Sequence, residues 1–145
     1  MPEGTRTILI GAPVDKVFAF FTDPANDPKW RPAVLEIAVE DPGPVAVGTK
    51  IRQVVKGPGG RGVPADLQVT DLEPPTLYAF RVTAGPVRPT GQFRFSSKDE
   101  KTSVTFSLQV QLSGLKKLIM SRTVQSSING EMASLDTAKN VLENS

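Results

Sequence analysis

One carboxylate interrupts an apolar helical stripe near the end of the chain. Glu131 falls between Ile128 and Leu135, at positions where a helix of 3.6 residues per turn would bury its side chains. A carboxylate removed from water has a raised pKa, so Glu131 is a candidate general acid or base, and we expect it to face the interior. The alternative is a small rotation of the helix that brings Glu131 to the rim or pairs it with a strand arginine.

Two further polar residues could act on a small molecule inside the protein. Tyr78 is the only tyrosine, and its hydroxyl could donate a hydrogen bond to a ligand carbonyl. Gln53 shares strand parity with Ile51 and Val55 and could present its amide to a pocket. Structural roles stay open for both, as a core tyrosine with its hydroxyl at the rim and a polar residue at a strand edge. No catalytic residue is assigned; Glu131 and Tyr78 are the candidates.

The residue types that are missing exclude several chemistries. The 145 residues include no cysteine and no histidine. The chain therefore has no disulfide framework, no thiolate nucleophile, no zinc–thiolate site and no pairing of serine with histidine. The carboxylates Asp23 and Asp27 flank a proline-rich segment, where we interpret them as solvated turn residues. We predict no metal and no cofactor.

A glycine-rich segment, KGPGGRG at residues 56–62, has the formal G-x-G-x-x-G spacing of a dinucleotide-binding loop. That loop functions only where a strand leads into a helix whose N-terminus holds the pyrophosphate. Here the preceding TKIRQVV is strand-like, but the following VPADLQVTDLEPP contains three prolines and alternates apolar with polar residues. We interpret the segment as the turn of a hairpin between adjacent antiparallel strands.

The remaining pattern predicts a strand, a short helix, a proline-broken segment and then six strands. Apolar residues within 14–21 recur at i, i+3, i+4 and i+7, which predicts a helix of about two turns that ends at Asp23-Pro24. Between Ala33 and Leu112, alternating segments are separated by turn-forming residues at hairpin spacing. The clearest alternation, from Val104 to Leu112, predicts an antiparallel sheet with one solvated face.

The last part of the chain, from Ser113 onward, is one long helical pattern. Its apolar stripe consists of Met120, Val124, Ile128, Met132, Leu135, Ala138 and Leu142. A helix with such a stripe should lie across the dry face of the sheet.

Length, charge and hydropathy fit a single domain that spans residues 1–145. No apolar run is long enough for a bilayer, and an acid near the start with a short apolar run argues against a secretory signal. The net charge of +2, with scattered Lys and Arg, gives no indication of nucleic-acid binding. We expect a cytoplasmic protein with no nucleic-acid partner and no integral membrane association, and we leave its oligomeric state open.

The order of elements and several motifs resemble the START-like superfamily, and within it the polyketide cyclase/dehydrase group often labelled SRPBCC. The motifs are Ala12-Pro13, Val17-Phe18, Thr22-Asp23-Pro24, Trp30, VGTKIR at 47–52 and LDTAKNVLE at 135–143. The resemblance implies an α+β helix-grip fold, in which a curved antiparallel sheet of about seven strands wraps a long C-terminal helix. One or two short helices would follow the first strand, and a cavity between sheet and helix would hold an apolar or aromatic small molecule.

The resemblance leaves three functions open. The first is binding of a hydrophobic ligand, lipid-like or polyketide-like; the second is a polyketide cyclase or dehydratase; the third is a co-chaperone-like interaction module. The expected ligand-binding residues are Trp30, Gln53, Tyr78, Phe80, Phe93, Phe95, Phe106, Met120, Val124, Ile128, Glu131 and Met132. For each aromatic residue, ordinary core packing is the alternative.

Overall fold

Alternating apolar and polar segments form eight strands of one antiparallel sheet in the computed structural model, which describes residues 2–40 and 43–145. The strands are β1 Glu3–Ile10, β2 Val34–Val39, β3 Lys50–Lys56, β4 Gly62–Pro64, β5 Leu67–Glu73, β6 Leu77–Val82, β7 Thr90–Lys98 and β8 Lys101–Gln109. Seven of them follow the order β1-β8-β7-β6-β5-β3-β2, and the short β4 pairs with β3. The predicted α+β class with a curved sheet against a C-terminal helix is confirmed.

Helices follow the first strand and close the chain. They are α1 Val14–Thr22, α2 Asp27–Trp30, α3 Gly114–Ala133 and α4 Leu135–Glu143, with a 3-10 turn at Pro24–Asn26. The predicted long C-terminal helix is confirmed, from Gly114 to residue 143. Its two parts, α3 and α4, meet at Ser134, which keeps helical angles (φ −63°, ψ −19°) and whose hydroxyl donates to the carbonyl oxygen of Gly130 at 2.9 Å. Such a bond from serine to the carbonyl four residues earlier often bends a helix without ending it. None of the helices in the described ranges is both long and apolar enough to cross a membrane.

The glycine-rich segment is the turn between β3 and β4, so the hairpin prediction is confirmed. Gly59 and Gly60 have φ angles of 74° and 79°, which glycine adopts without strain. The chain then continues into strands rather than a helix. The single strand predicted beyond the turn is instead split into β4 and β5. At the split, the backbone N–H of Ala65 donates to Gln53, and the carboxylate of Asp66 accepts from the backbone N–H of Gln53.

The inner face of the sheet carries the predicted core residues of the last strands. Alternate residues from Val104 to Leu112 are buried, as the alternation predicted. On β7, Phe93 and Phe95 point to the same side, while Arg94 between them is exposed. The sheet therefore has one dry face and one solvated face, and the dry face is rich in aromatic rings.

The two halves of α3 pack differently. The buried residues of this helix are Val124, Ile128 and Met132, all in its second half. In the first half none of residues 113–123 is buried, and Met120 is only half-buried. The predicted stripe therefore contacts the core fully only from Val124 onward.

Candidate functional site

Phe93 lies at the centre of a cluster of aromatic rings on the inner face of the sheet. Its ring stacks on that of Phe106, with centroids 4.2 Å apart, and on that of Tyr78 at 5.9 Å. The strand register explains both contacts, because Phe93 pairs with Tyr78 on β6 and with Phe106 on β8. From the helices, Phe21 and Trp30 contact the same ring at 5.0 and 6.2 Å. Each such pair adds about 0.5–1.5 kcal/mol beyond its buried area.

Trp30, the only tryptophan, ends α2 and places its indole in this apolar interior. Its side chain is 2% exposed, and Nε1 has no hydrogen-bond partner among the described residues. Its ring neighbours Phe21, Phe93 and Phe106 carry no oxygen or nitrogen in their side chains. A buried donor left unpaired costs about 1–3 kcal/mol, so an acceptor that reached this N–H would stabilise the protein.

Immediately after α2, Arg31 joins three elements through a partly buried hydrogen-bond network. Its Nε donates to Oε2 of Glu131 at 2.7 Å, and its Nη1 donates to Oδ2 of Asp27 at 2.9 Å and to Oε1 of Gln53 at 2.7 Å. The three charged side chains are 14–15% exposed. Gln53 is 3% exposed, and its Nε2 donates to the carbonyl oxygen of Ala65 at 3.0 Å. This polar network (Asp27, Arg31, Gln53 and Glu131) connects α2, β3 and α3.

Burial perturbs the ionisation of the polar network. It raises the pKa of Asp27 to about 6, although the Arg31 guanidinium acts in the opposite direction. For Arg31, burial lowers the pKa, but the carboxylates of Glu131 and Asp27 outweigh it and raise the pKa above its ordinary value. Burial also raises the pKa of Tyr78, and the charge of Asp27 adds to that effect. At neutral pH the site thus holds a protonated phenol near a carboxyl group that can exchange a proton.

The raised pKa of Asp27 predicts a stability contribution that is lost as the pH rises. The folded protein binds this proton more tightly than the unfolded chain, whose pKa is near 3.8, so the contribution is full below about pH 4 and disappears through pH 6. A shift of about two pK units corresponds to about 3 kcal/mol. We expect urea titrations to show that, as the pH rises through this range, the free energy of unfolding of wild type falls by about 3 kcal/mol relative to that of Asp27→Asn. A pH-independent difference between the two proteins would contradict a buried, ionisable Asp27.

Most of the predicted ligand-binding residues lie in this interior. Nine are buried: Trp30, Gln53, Tyr78, Phe93, Phe95, Phe106, Val124, Ile128 and Met132. Phe80, Met120 and Glu131 are half-buried. Glu131 is paired with an arginine, but that arginine follows α2 and does not belong to a strand. A ligand-binding role for these residues stays a prediction.

Two members of the polar network, Asp27 and Arg31, were not among the predicted ligand-binding or catalytic residues. The interpretation of Asp27 as a solvated turn carboxylate is wrong, because its side chain is largely buried and pairs with Arg31 four residues later. Arg31 itself drew no prediction. The i, i+4 spacing of the two charges was the available signal. The described residues add no third metal-ligating side chain that would make a metal site here.

Two depressions on the outside of the described structure lie away from the predicted ligand residues. One, of about 320 Å³, is lined by α1, α4 and the segment between α1 and α2. The other, of about 360 Å³, lies between the β3–β4 turn and α3, and its lining is Lys56, Gly57, Arg122, Thr123, Ser126 and Ser127. The aromatic interior is occupied by rings in mutual contact. A ligand that entered it would therefore have to displace side chains.

Comparisons with known proteins agree with this fold. The sequence profile of the family described as "Polyketide cyclase / dehydrase and lipid transport" matches residues 1–139. A Thermus thermophilus structure has a TM-score of 0.80 at 19% identity, over 97% of both chains. A START superfamily protein from Mycobacterium smegmatis has a TM-score of 0.78 at 13% identity, over 98% of this chain and 97% of that one. The Zhui aromatase/cyclase from Streptomyces has a TM-score of 0.69 at 16% identity, over 96% and 94%. None of the curated proteins matches the sequence significantly.

Proposed function

The chain belongs to the polyketide cyclase/dehydrase and lipid transport family, and from this premise we propose that it binds a hydrophobic small molecule between its sheet and α3. The observation that carries the proposal is the buried N–H of Trp30, which has no acceptor among the described residues. An oxygen atom of the ligand would supply that acceptor, while the surrounding rings would contact its apolar body. The ligand class is therefore lipid-like or polyketide-like, with a polar oxygen.

The polar network would form the polar wall of this site. The hydrogen bonds of Arg31 to its three partners use Nε and Nη1, and none of them uses Nη2. Nη2 and the protonated hydroxyl of Tyr78 are the donors that would meet a ligand carbonyl. Two carboxyl groups already balance the guanidinium, so a ligand carboxylate would add repulsion without an unpaired cation. We therefore favour a neutral carbonyl compound over a fatty-acid anion.

Displacement of side chains sets the affinity that we expect. A ligand that buried roughly 300 Å² of apolar surface would gain about 7 kcal/mol, and ordering costs would reduce the affinity toward micromolar. Movement of the interior rings would cost additional free energy and so lower the affinity further. The first half of α3 is the segment that would move most easily, since none of residues 113–123 is buried.

Because Trp30 is the only tryptophan, its fluorescence reports on this site alone. We expect a neutral aromatic ketone such as anthrone to change the emission of Trp30, and 2-naphthoate to bind more weakly. Native mass spectrometry should show that Trp30→Phe lowers the affinity for anthrone about tenfold, because phenylalanine retains a ring but lacks the N–H donor. Phe20→Leu, a change at the outer depression near α4, is the matched control and should leave the affinity unchanged.

The proposal fails if no compound in a panel of lipids and aromatic ketones binds, and if protein purified from cells carries no small molecule in native mass spectrometry. Equal affinities of wild type and Trp30→Phe for anthrone would instead show that the ligand does not bond to the indole N–H.

A cyclase-type enzyme is the second candidate, and the ionisation of Asp27 favours it. A carboxyl group with a pKa of about 6 can accept or donate a proton near neutral pH. The catalytic candidates Glu131 and Tyr78 both interact electrostatically with Asp27. Turnover of a polyketide mimic that is lost in Asp27→Asn while binding persists would establish catalysis; binding without turnover in wild type would exclude it for that substrate. For either function, we propose a cytoplasmic location.

A further inference from the structure

The first half of α3 carries an apolar stripe that no other described residue covers. Leu115, Leu118 and Ile119 are 70%, 84% and 66% exposed. Their i, i+3, i+4 spacing places them on one side of the helix. Isolated exposed apolar residues are common, but three neighbouring large ones form a patch of the kind that marks an interaction surface. We call these three residues the α3 apolar stripe.

Two loops of the sheet lie beside the same half of α3. The side chain of Lys116 donates to the carbonyl oxygen of Pro86 at 3.2 Å, which brings the β6–β7 loop against the helix. Lys56 and Arg122 line the same outer depression, so the β3–β4 turn also adjoins α3. The helix half and both loops therefore belong to one end of the molecule.

This end is strongly basic. The segments 54–65, 83–92 and 113–130 contain six Lys or Arg residues and no Asp or Glu, and Glu3, whose backbone bonds to the side chain of Gln125, is an acidic residue beside them. The rest of the chain has eleven Lys or Arg and 15 Asp or Glu, a formal charge of −4 beside the +6 of these three segments. The small net charge of the whole chain thus conceals a separation of charge along the molecule.

We propose that this basic end docks on the surface of an anionic lipid bilayer. The α3 apolar stripe would enter the interface, and Lys116 and Arg122, which lie three residues before and after Ile119 and so border the stripe, would contact lipid phosphates. Apolar side chains flanked by cations on one helix fit this interface, and each cation near an anionic surface strengthens binding several-fold. A second copy of the chain fits less well, because two ends of the same charge would repel and three side chains bury little area. This docking does not depend on what the interior binds.

Vesicle co-sedimentation tests the proposal. We expect wild type to sediment with phosphatidylcholine vesicles that contain phosphatidylglycerol as a third of the lipid, and not with phosphatidylcholine alone. High salt should release it. The triple change Leu115→Ser, Leu118→Ser, Ile119→Ser and, separately, the double change Lys116→Ala, Arg122→Ala should each lower binding about tenfold or more.

A matched control removes the same charge at the opposite end of the molecule. Lys98 and Lys101 flank the β7–β8 turn, and the double change Lys98→Ala, Lys101→Ala should leave vesicle binding unchanged. Circular dichroism checks that the variants fold. If the triple serine variant does not fold, the single change Leu118→Ser replaces it.

Three outcomes would overturn the proposal. They are no sedimentation with the anionic vesicles, an equal loss in the Lys98/Lys101 control, or light scattering that shows a dimer which the serine changes convert to a monomer. The last outcome would assign the stripe to a second copy of the chain.

Discussion

Arg31→Met is expected to lower the free energy of unfolding by about 3–5 kcal/mol. The guanidinium forms ion pairs with Asp27 and Glu131 at 2.9 and 2.7 Å, and both carboxylates are only 15% exposed. Methionine fills much of the same volume but leaves two carboxylates together, with little water to solvate them. Urea denaturation at neutral pH, followed by circular dichroism, measures the loss.

Two comparisons separate charge pairing from packing. Adding Asp27→Asn and Glu131→Gln to Arg31→Met removes all three charges and should restore most of the lost stability. Arg6→Met breaks an exposed pair with Asp136, in which the side chains are 33% and 63% exposed, and should change the stability by less than about 1 kcal/mol. Similar losses for Arg31→Met and Arg6→Met would contradict the role of the polar network.

Phe93→Ala is expected to cost about 3–5 kcal/mol and to create a cavity that binds a small aromatic ring. The ring of Phe93 lies between those of Tyr78 and Phe106, so its removal leaves an apolar space with aromatic walls. Benzene should raise the melting temperature of Phe93→Ala by several degrees and leave wild type unchanged, because a ligand stabilises the state that binds it.

Phe20→Ala is the control for this cavity. Phe20 is half-buried and contacts Phe21 with ring centroids 5.4 Å apart, outside the stacked cluster. We expect a smaller loss and no stabilisation by benzene. A shift of wild type as large as that of Phe93→Ala would mean that the interior already contains open space, contrary to the packed rings described above.

The two proposals place different roles on α3. Its second half contributes Val124, Ile128 and Met132 to the aromatic interior, whereas its first half leaves the α3 apolar stripe in solvent. A ligand that entered the interior and a bilayer that bound the basic end would therefore contact the same helix at different turns. The variants of Trp30 and Leu118 distinguish them, since each affects one site only.

Local periodicity was sufficient to predict most of the helices and strands, whereas the helix-grip arrangement was predicted from the resemblance to the START-like superfamily. Alternation between Val104 and Leu112 identified a strand with one buried face, and the glycines at 57–62 identified a hairpin turn. Both signals depend on residues that are close in sequence, so they can be recognised without knowledge of tertiary contacts. One error arose where a side chain bonds to the backbone. The strand predicted beyond the turn divides into β4 and β5 where the carboxylate of Asp66 accepts a hydrogen bond from the backbone N–H of Gln53, and periodicity contains no sign of that bond.

The sequence by itself determined the elements, their order and the faces that they bury. The tertiary structure decided the partners of the polar residues: Arg31 meets Gln53 across 22 positions and Glu131 across 100 positions of the chain. Whether Glu131 reaches water or a guanidinium depends on a small rotation of α3 and on where α2 ends. Periodicity does not define that rotation, and the ionisation of Asp27 depends on burial that only the assembled elements produce.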